Sequence, residues 1–313
     1  MNPKKFLKQG LFFLTERFLG LFPIYFQSAL LPILCKNIGL NDLRVNYDFK
    51  LNDLNFNINF GLFDTDTSVF PYIIKNKGWE TYEPESVYKL LKSNIKYDIY
   101  DIGANQGLFC VQLLKLIETS SSYGLVNVYL FEPDKRLYHL IDTNIKNNVG
   151  LENVKIKIID KALSDKDGIT TFYLEEGNCS NNSLDYRAMV NSTSKLISID
   201  IECVASSRIN EIAPSENKVI YKSDIQGKDL DVFTNLPKDF LDKIEILVIE
   251  IWPLLLKNEK SKIDFLKSYL TNFKDVRIYG QNNQVFSNNI NEIDGLLNTT
   301  SNTKYYNIIA SRT

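Results

Sequence analysis

A single histidine, His139, and four scattered cysteines, Cys35, Cys110, Cys179 and Cys203, are all that this 313-residue chain offers of imidazole and thiolate metal ligands. Their spacing matches no common zinc pattern and builds no disulfide framework, which points to a reducing, cytoplasmic setting. An excess of charge of one sign is missing too. The 36 basic and 38 acidic side chains leave a formal charge of -2, so no global field draws the chain to a polyanion and nucleic acid is not expected as a partner. Internal repeats are absent. Hydrophobic residues make up 44% of the chain, enough for a sizeable core.

One segment lacks charge altogether. Lys4, Lys5 and Lys8 precede a run over 18–35 without a charged side chain, broken by Pro23 and Pro32. Its length is at the short limit for a membrane span, and the prolines with Gln27 and Ser28 weaken that reading. A span would also carry the rest of the chain away from a cytosolic cofactor. No small-x-small cleavage site ends the run. Residues 1–37 are therefore expected to pack as helices, to form a homo-oligomer contact, or to dock peripherally on the inner face of the membrane.

Residues 38–95 read as a connecting and cover region. Alternation over 54–60 predicts a half-buried strand, and Val87, Leu90 and Leu91 predict a cover helix over 85–93. From 96 to the end the pattern becomes strand, helix, strand. Strands are expected at 97–102, 125–131 and 154–160, with helices at 107–118 and 134–147 between them. This is the signature of a parallel sheet with right-handed crossovers. Further strands are expected at 169–175, 197–204, 218–224, 244–251, 275–280 and 304–311, and helices at 227–234 and 259–272. Polar stretches at 177–183 and 298–303 read as loops.

The first of these strands runs into Gly103-Ala104-Asn105-Gln106-Gly107 and then into a helix. Glycines at 103 and 107 permit a sharp turn and a close approach to a ligand, and in an open parallel sheet ligands sit beyond the carboxyl ends of such strands. The second strand ends at Glu132-Pro133-Asp134, where the Glu132 carboxylate suits two ribose hydroxyls. The third ends at Asp160, a candidate for an adenine amino group. A nicotinamide dinucleotide reader shares the glycine turn and the acid. Its G-x-G-x-x-G spacing, however, differs from glycines four apart with Asn105 between them, where a pyrophosphate has poor access.

Taken in order, these blocks resemble the FkbM family of methyltransferases over residues 78–252. Gly78 to Pro84, Asp101 to Gly107, Phe131-Glu132-Pro133, Asn144 and Asn148 with Asn153-Val154, Ala162 to Asp165 with Gly168, Lys222 to Asp229, and Leu247 to Ile251 are each similar to a family block. Gln226 stands where the family usually has glutamate, and Ser206-Ser207-Arg208-Ile209 where it usually has a leucine-aspartate pair. The resemblance implies an α/β, Rossmann-like, seven-stranded, mostly parallel sheet flanked by helices, the class I methyltransferase fold. It also implies S-adenosylmethionine as cofactor, held by Asp101, Gly103, Asn105, Gly107, Glu132, Asp160 and Ala162.

Methyl transfer to a hydroxyl needs alignment and a base. Asp224 and Glu250, at the ends of their strands, are the candidates, with Asp224 first. Lys222, two residues before Asp224 and so on the same face, either pairs with it or orients the acceptor oxygen. Two neighbouring carboxylates also suit a divalent ion, the less favoured arrangement. His139 reads as structural. Trp252 and the loop Asn178 to Ser183 suit the wall of an acceptor pocket. The expected acceptor is a sugar hydroxyl of a polysaccharide or glycolipid, then a secondary metabolite. The rivals are a nicotinamide-dependent oxidoreductase and a membrane-docking protein that binds the cofactor without turnover.

Overall fold

The structure, a computed structural model, describes residues 44–51, 54–61, 69, 72–73, 79–119, 124–150, 152, 154–189, 192, 194–280, 285–297 and 305–313. The segment 1–37, Gly78, Asn153 and the loop expected at 298–303 lie outside the described residues.

A hairpin of β1 (Arg44–Leu51) and β2 (Leu54–Gly61) comes first, and helix α1 (Tyr82–Leu90) leads into the sheet. The expected cover helix thus begins three residues earlier than 85, because Pro84 falls in the first turn, where its missing N–H costs nothing. There follow β3 (Lys96–Ile102), α2 (Leu108–Glu118), β4 (Gly124–Phe131), α3 (Lys135–Asn148) and β5 (Lys155–Ile159). After an excursion the chain returns through β9 (Lys218–Ser223), α4 (Asp229–Thr234), β10 (Ile244–Ile251), α5 (Lys260–Leu270), β11 (Asp275–Tyr279), β12 (Val285–Ser287) and β13 (Tyr306–Ser311).

The sheet order is β12-β11-β13-β10-β9-β3-β4-β5. Strands β5, β4, β3, β9 and β10 are parallel, and β13 runs antiparallel to both β10 and β11. The expected seven-stranded, mostly parallel sheet is present, with the short β12 added at one edge. The excursion carries β6 (Ala162–Ser164), β7 (Gly168–Glu175) and β8 (Leu196–Ala205), which form a separate three-stranded sheet. The strands read at 169–175 and 197–204 therefore belong to this second sheet.

Alternation along the central strand explains the layers. Tyr97 and Ile99 pack with Leu113 and Leu114 of α2 and Ile141 of α3, while Tyr100 and Ile102 face the opposite core around Phe233 and Phe240. The buried Tyr100 hydroxyl donates to the Ala213 carbonyl at 2.6 Å, so its burial leaves no orphaned group. Asn144 and Asn148 of α3 serve the backbone. Asn148 Oδ1 accepts from the Asn59 N–H and Asn144 Oδ1 from the Gly61 N–H, at 2.7 and 2.6 Å, which docks the hairpin on α3. Asn144 Nδ2 also donates to the Gln106 carbonyl at 2.9 Å, tying that helix to the turn after β3.

Candidate active site

Strand order reverses at β3. The chain steps from β3 out to β4 and β5 on one side and returns as β9 on the other, so a crevice opens beyond the carboxyl ends of β3 and β9. A cavity of about 470 Å³ occupies this place and runs under α1 and the loop after β7. Its wall includes Gly103, Asn105, Glu132 and Ala162 on one side and Lys222, Asp224 and Glu250 on the other.

The turn after β3 is built by contacts with protein. Gly103 and Gly107 have φ of 82° and 80°, a region costly for other residues. A Cβ on Gly103 would run into the carbonyl oxygen of Asp224, and one on Gly107 would lie 3.3 Å from Ile141 Cγ2. The close approach expected of these glycines is thus to the neighbouring strand end and to α3, and Gly107 does not line the cavity. Asn105 also has positive φ, at 50°. Its N–H donates to Glu132 Oε2 at 2.8 Å, while the Asp134 N–H donates to Glu132 Oε1 at 2.9 Å. Burial pushes the Glu132 carboxyl up to about 7, against the pull of these two N–H groups.

Asp101 and Asp160 stand elsewhere than the sequence suggested. Asp101 is fully buried beneath the turn and outside the cavity wall, beside Lys222 Nζ at 3.3 Å, its register neighbour on β9. Asp160 is half exposed and faces Lys135 at 3.7 Å. It follows β5, one strand beyond β4, and does not reach the cavity wall. Ala162, two residues on, does. His139 is exposed on α3.

The opposite wall is acidic. Lys222 is 5% exposed, between Asp101 and Asp224, the latter at 3.7 Å, with its Nζ 5.7 Å from the centre of the Phe109 ring. Burial alone would depress its pKa; Asp101, Asp224, Glu83 and Glu80 outweigh that and hold the ammonium charged well above its ordinary range. Gln226 Nε2 donates to Asp224 Oδ1 at 2.7 Å and to Glu250 Oε2 at 3.4 Å, and the Trp252 indole N–H also donates to Glu250. Burial, then Asp224 and Asp229, push the Glu250 carboxyl well up. Among the described residues, no group of three or more His, Cys, Asp or Glu side chains is arranged to hold a metal ion.

Three residues beyond those expected shape this wall. Glu80 enters it from the segment before α1 and Glu83 from the first turn of that helix, where their residue type alone does not set them apart from ordinary helix-start acids. Burial and then Asp224 raise the Glu80 carboxyl to about 7, and burial and then Glu80 raise that of Glu83 well above its usual range. Asp229 is 1% exposed and holds the turn after β9, accepting from the Ser223 hydroxyl and from the Ile225 and Gly227 N–H groups. Among the described residues, Glu80, Asn105 and Gln226 are the non-glycine positions with positive φ, and all three line the cavity. Strain gathered in this way is a mark of functional sites. The loop residues Asn178 to Asn182, and Trp252 stacked on Tyr305 at 6.0 Å, complete the wall.

Five parallel strands in the order β10-β9-β3-β4-β5, with β13 antiparallel between β10 and β11, make up the Rossmann-like methyltransferase fold. The chain is similar to an rRNA methylase from Streptococcus thermophilus, with 9% identity over 74% of this chain and 95% of that one and a TM-score of 0.38. It is similar to a precorrin-6y C5,15-methyltransferase from Geobacter metallireducens GS-15, with 11% identity over 74% and 87% and a TM-score of 0.35. TrmK of M. capricolum, in complex with S-adenosylhomocysteine, matches with 10% identity over 74% and 68% and a TM-score of 0.34. No family model and no curated protein matches the chain, so membership of the FkbM family is not confirmed.

The exclusion of nucleic acid drawn from total charge does not stand: an rRNA methylase is among the proteins to which the chain is similar. A near-zero sum also says nothing about local patches. Among the described residues no helix is long and apolar enough to cross a membrane.

Proposed function

We propose that this protein is an S-adenosylmethionine-dependent O-methyltransferase whose acceptor is a sugar hydroxyl of a polysaccharide or glycolipid, or a hydroxyl of a secondary metabolite. One observation carries the reading. A single cavity at the strand-order switch joins the Asn105 and Glu132 pair on one side to Asp224 and Glu250 on the other.

The cofactor side suits an adenosyl group. Each Glu132 oxygen accepts one N–H and keeps acceptor capacity for a ribose hydroxyl, as a carboxylate oxygen has two lone-pair sites. Ala162 and Leu163 give that side an apolar floor, and Gly103 lets the turn lie flat against the strand end. Bound there, S-adenosylmethionine would supply an electrophilic methyl group on a thioether leaving group. Asp224 takes the proton from the attacking hydroxyl at a carboxylate oxygen. Gln226 orients that carboxylate, and Lys222 holds it from below. Glu250, clasped by Trp252 and Gln226, orients the acceptor.

Calorimetry with S-adenosylmethionine, S-adenosylhomocysteine and NAD tests the cofactor, and transfer of labelled methyl to a glycan extract tests the reaction. Binding of the first two without NAD, and a hundredfold or greater loss of transfer in Asp224→Asn, are expected. Binding of NAD alone defeats the reading in favour of an oxidoreductase.

A further inference from the structure

The acidic wall under α1 has an imbalance that the transfer reaction does not require. Its side-chain donors are already engaged. Lys222 lies on Asp101 and Asp224, and Gln226 Nε2 on Asp224 and Glu250. The Tyr82 hydroxyl donates to Glu83 at 3.2 Å and the Tyr305 hydroxyl to Glu80 at 3.4 Å. Gln112 Nε2 donates to the Trp79 carbonyl at 3.1 Å. What this wall has left is acceptor capacity.

The strongest sign is Gln112 Oε1. Gln112 lines the cavity, is 1% exposed, and its carbonyl oxygen has no hydrogen-bond partner. A buried acceptor without a partner is costly, a cost that a donor brought to this wall would relieve. Beside it Glu83, 3% exposed, uses one oxygen for Tyr82. Four carboxyl groups, Glu80, Glu83, Asp224 and Glu250, face the cavity beside the one ammonium of Lys222, and a second cation brought among them favours the ionised form of those that burial holds protonated. Trp79 and the stacked pair of Trp252 and Tyr305 add aromatic faces, which also favour a cation.

We propose that this wall is a subsite for a primary ammonium group, so that the acceptor carries an amine near the methylated hydroxyl, as an amino sugar does. The assignment rests on the reading of the cavity as a methyl-transfer site. An ammonium brings three donors and a positive charge to a surface of spare acceptors and negative charge. A carboxylate brings neither and is repelled, so the wall selects by exclusion as well as by attraction.

Glucosamine, glucose and glucuronate share a ring and differ in the group in question. Their binding to the whole protein saturated with S-adenosylhomocysteine is to be measured by saturation-transfer NMR and calorimetry. Glucosamine is expected to bind at least tenfold more tightly than glucose, with no binding of glucuronate. Glu83→Gln and Gln112→Leu are expected to cut the preference to threefold or less, with unchanged melting temperature as the check on folding. Equal binding of glucosamine and glucose overturns the proposal, whatever the variants do. So does displacement of S-adenosylhomocysteine by glucosamine, which would assign the acidic wall to the cofactor. Should the protein ignore S-adenosylhomocysteine, the methyl-transfer reading fails, and the amine preference is read on the protein alone.

Discussion

The main-chain N–H of Asn105 donates to Glu132 Oε2 at 2.8 Å, which makes the turn after the first core strand and the acid after the second a single unit. The Glu132 carboxyl sits at about 7 through burial, so near neutrality it is partly protonated in the free protein. Ribose hydroxyls donate to the ionised form and lower that pKa, so binding releases protons and strengthens with pH. Affinity for S-adenosylhomocysteine should fall below pH 7 by up to about tenfold per unit and level off above pH 8. In Glu132→Gln the slope should vanish and affinity should drop by about tenfold or more, at roughly 1.5–3 kcal/mol for a lost charged hydrogen bond. Calorimetry across pH 6 to 9 checks both. A slope that survives in Glu132→Gln would move the titration to Glu80, also held near 7.

Gly103 and Gly107 should differ in their tolerance of a methyl group. Both have φ near 80°, which costs an alanine about 1–2 kcal/mol. At Gly103 the added Cβ also meets backbone, the Asp224 carbonyl, which cannot turn aside as a side chain can. At Gly107 the neighbour is an Ile141 methyl group at 3.3 Å. Gly103→Ala should therefore lose about 3 kcal/mol or more in urea unfolding, and Gly107→Ala roughly half of that. Equal losses would contradict the packing argument.

Lys222 and Asp101 should behave as a buried pair. Both Asp101 oxygens lack a hydrogen bond and rely on the ammonium alone. Lys222→Met strands that carboxyl and should cost about 3–5 kcal/mol, as removal of one partner of a buried pair does. Lys222→Met with Asp101→Leu should recover most of the loss. Urea unfolding of the two single variants and the double variant measures the coupling, and simple additivity would show that the pair is not one.

Much of the architecture was legible in the chain because periodicity is a local property. Tyr97 to Ile102 alternate between two cores, and the glycine turn, the strand end at Glu132 and the amphipathic α3 follow without knowledge of the rest. What stayed hidden was which strands share a sheet. The residues of β7 and β8 have ordinary strand sequences, and only their pairing with each other and with β6 removes them from the main sheet.

The sequence by itself determined the alternating strand and helix order and set Gly103, Glu132, Lys222, Asp224 and Glu250 at or near strand ends, because these depend on neighbours along the chain. Tertiary structure alone decided that Asp101 serves Lys222 from below, that Asp160 turns toward Lys135, and that Glu80, Glu83 and Gln112 join the cavity wall. Burial and charge at these positions come from segments far apart in sequence. No local pattern states how many carboxylates will share one lysine.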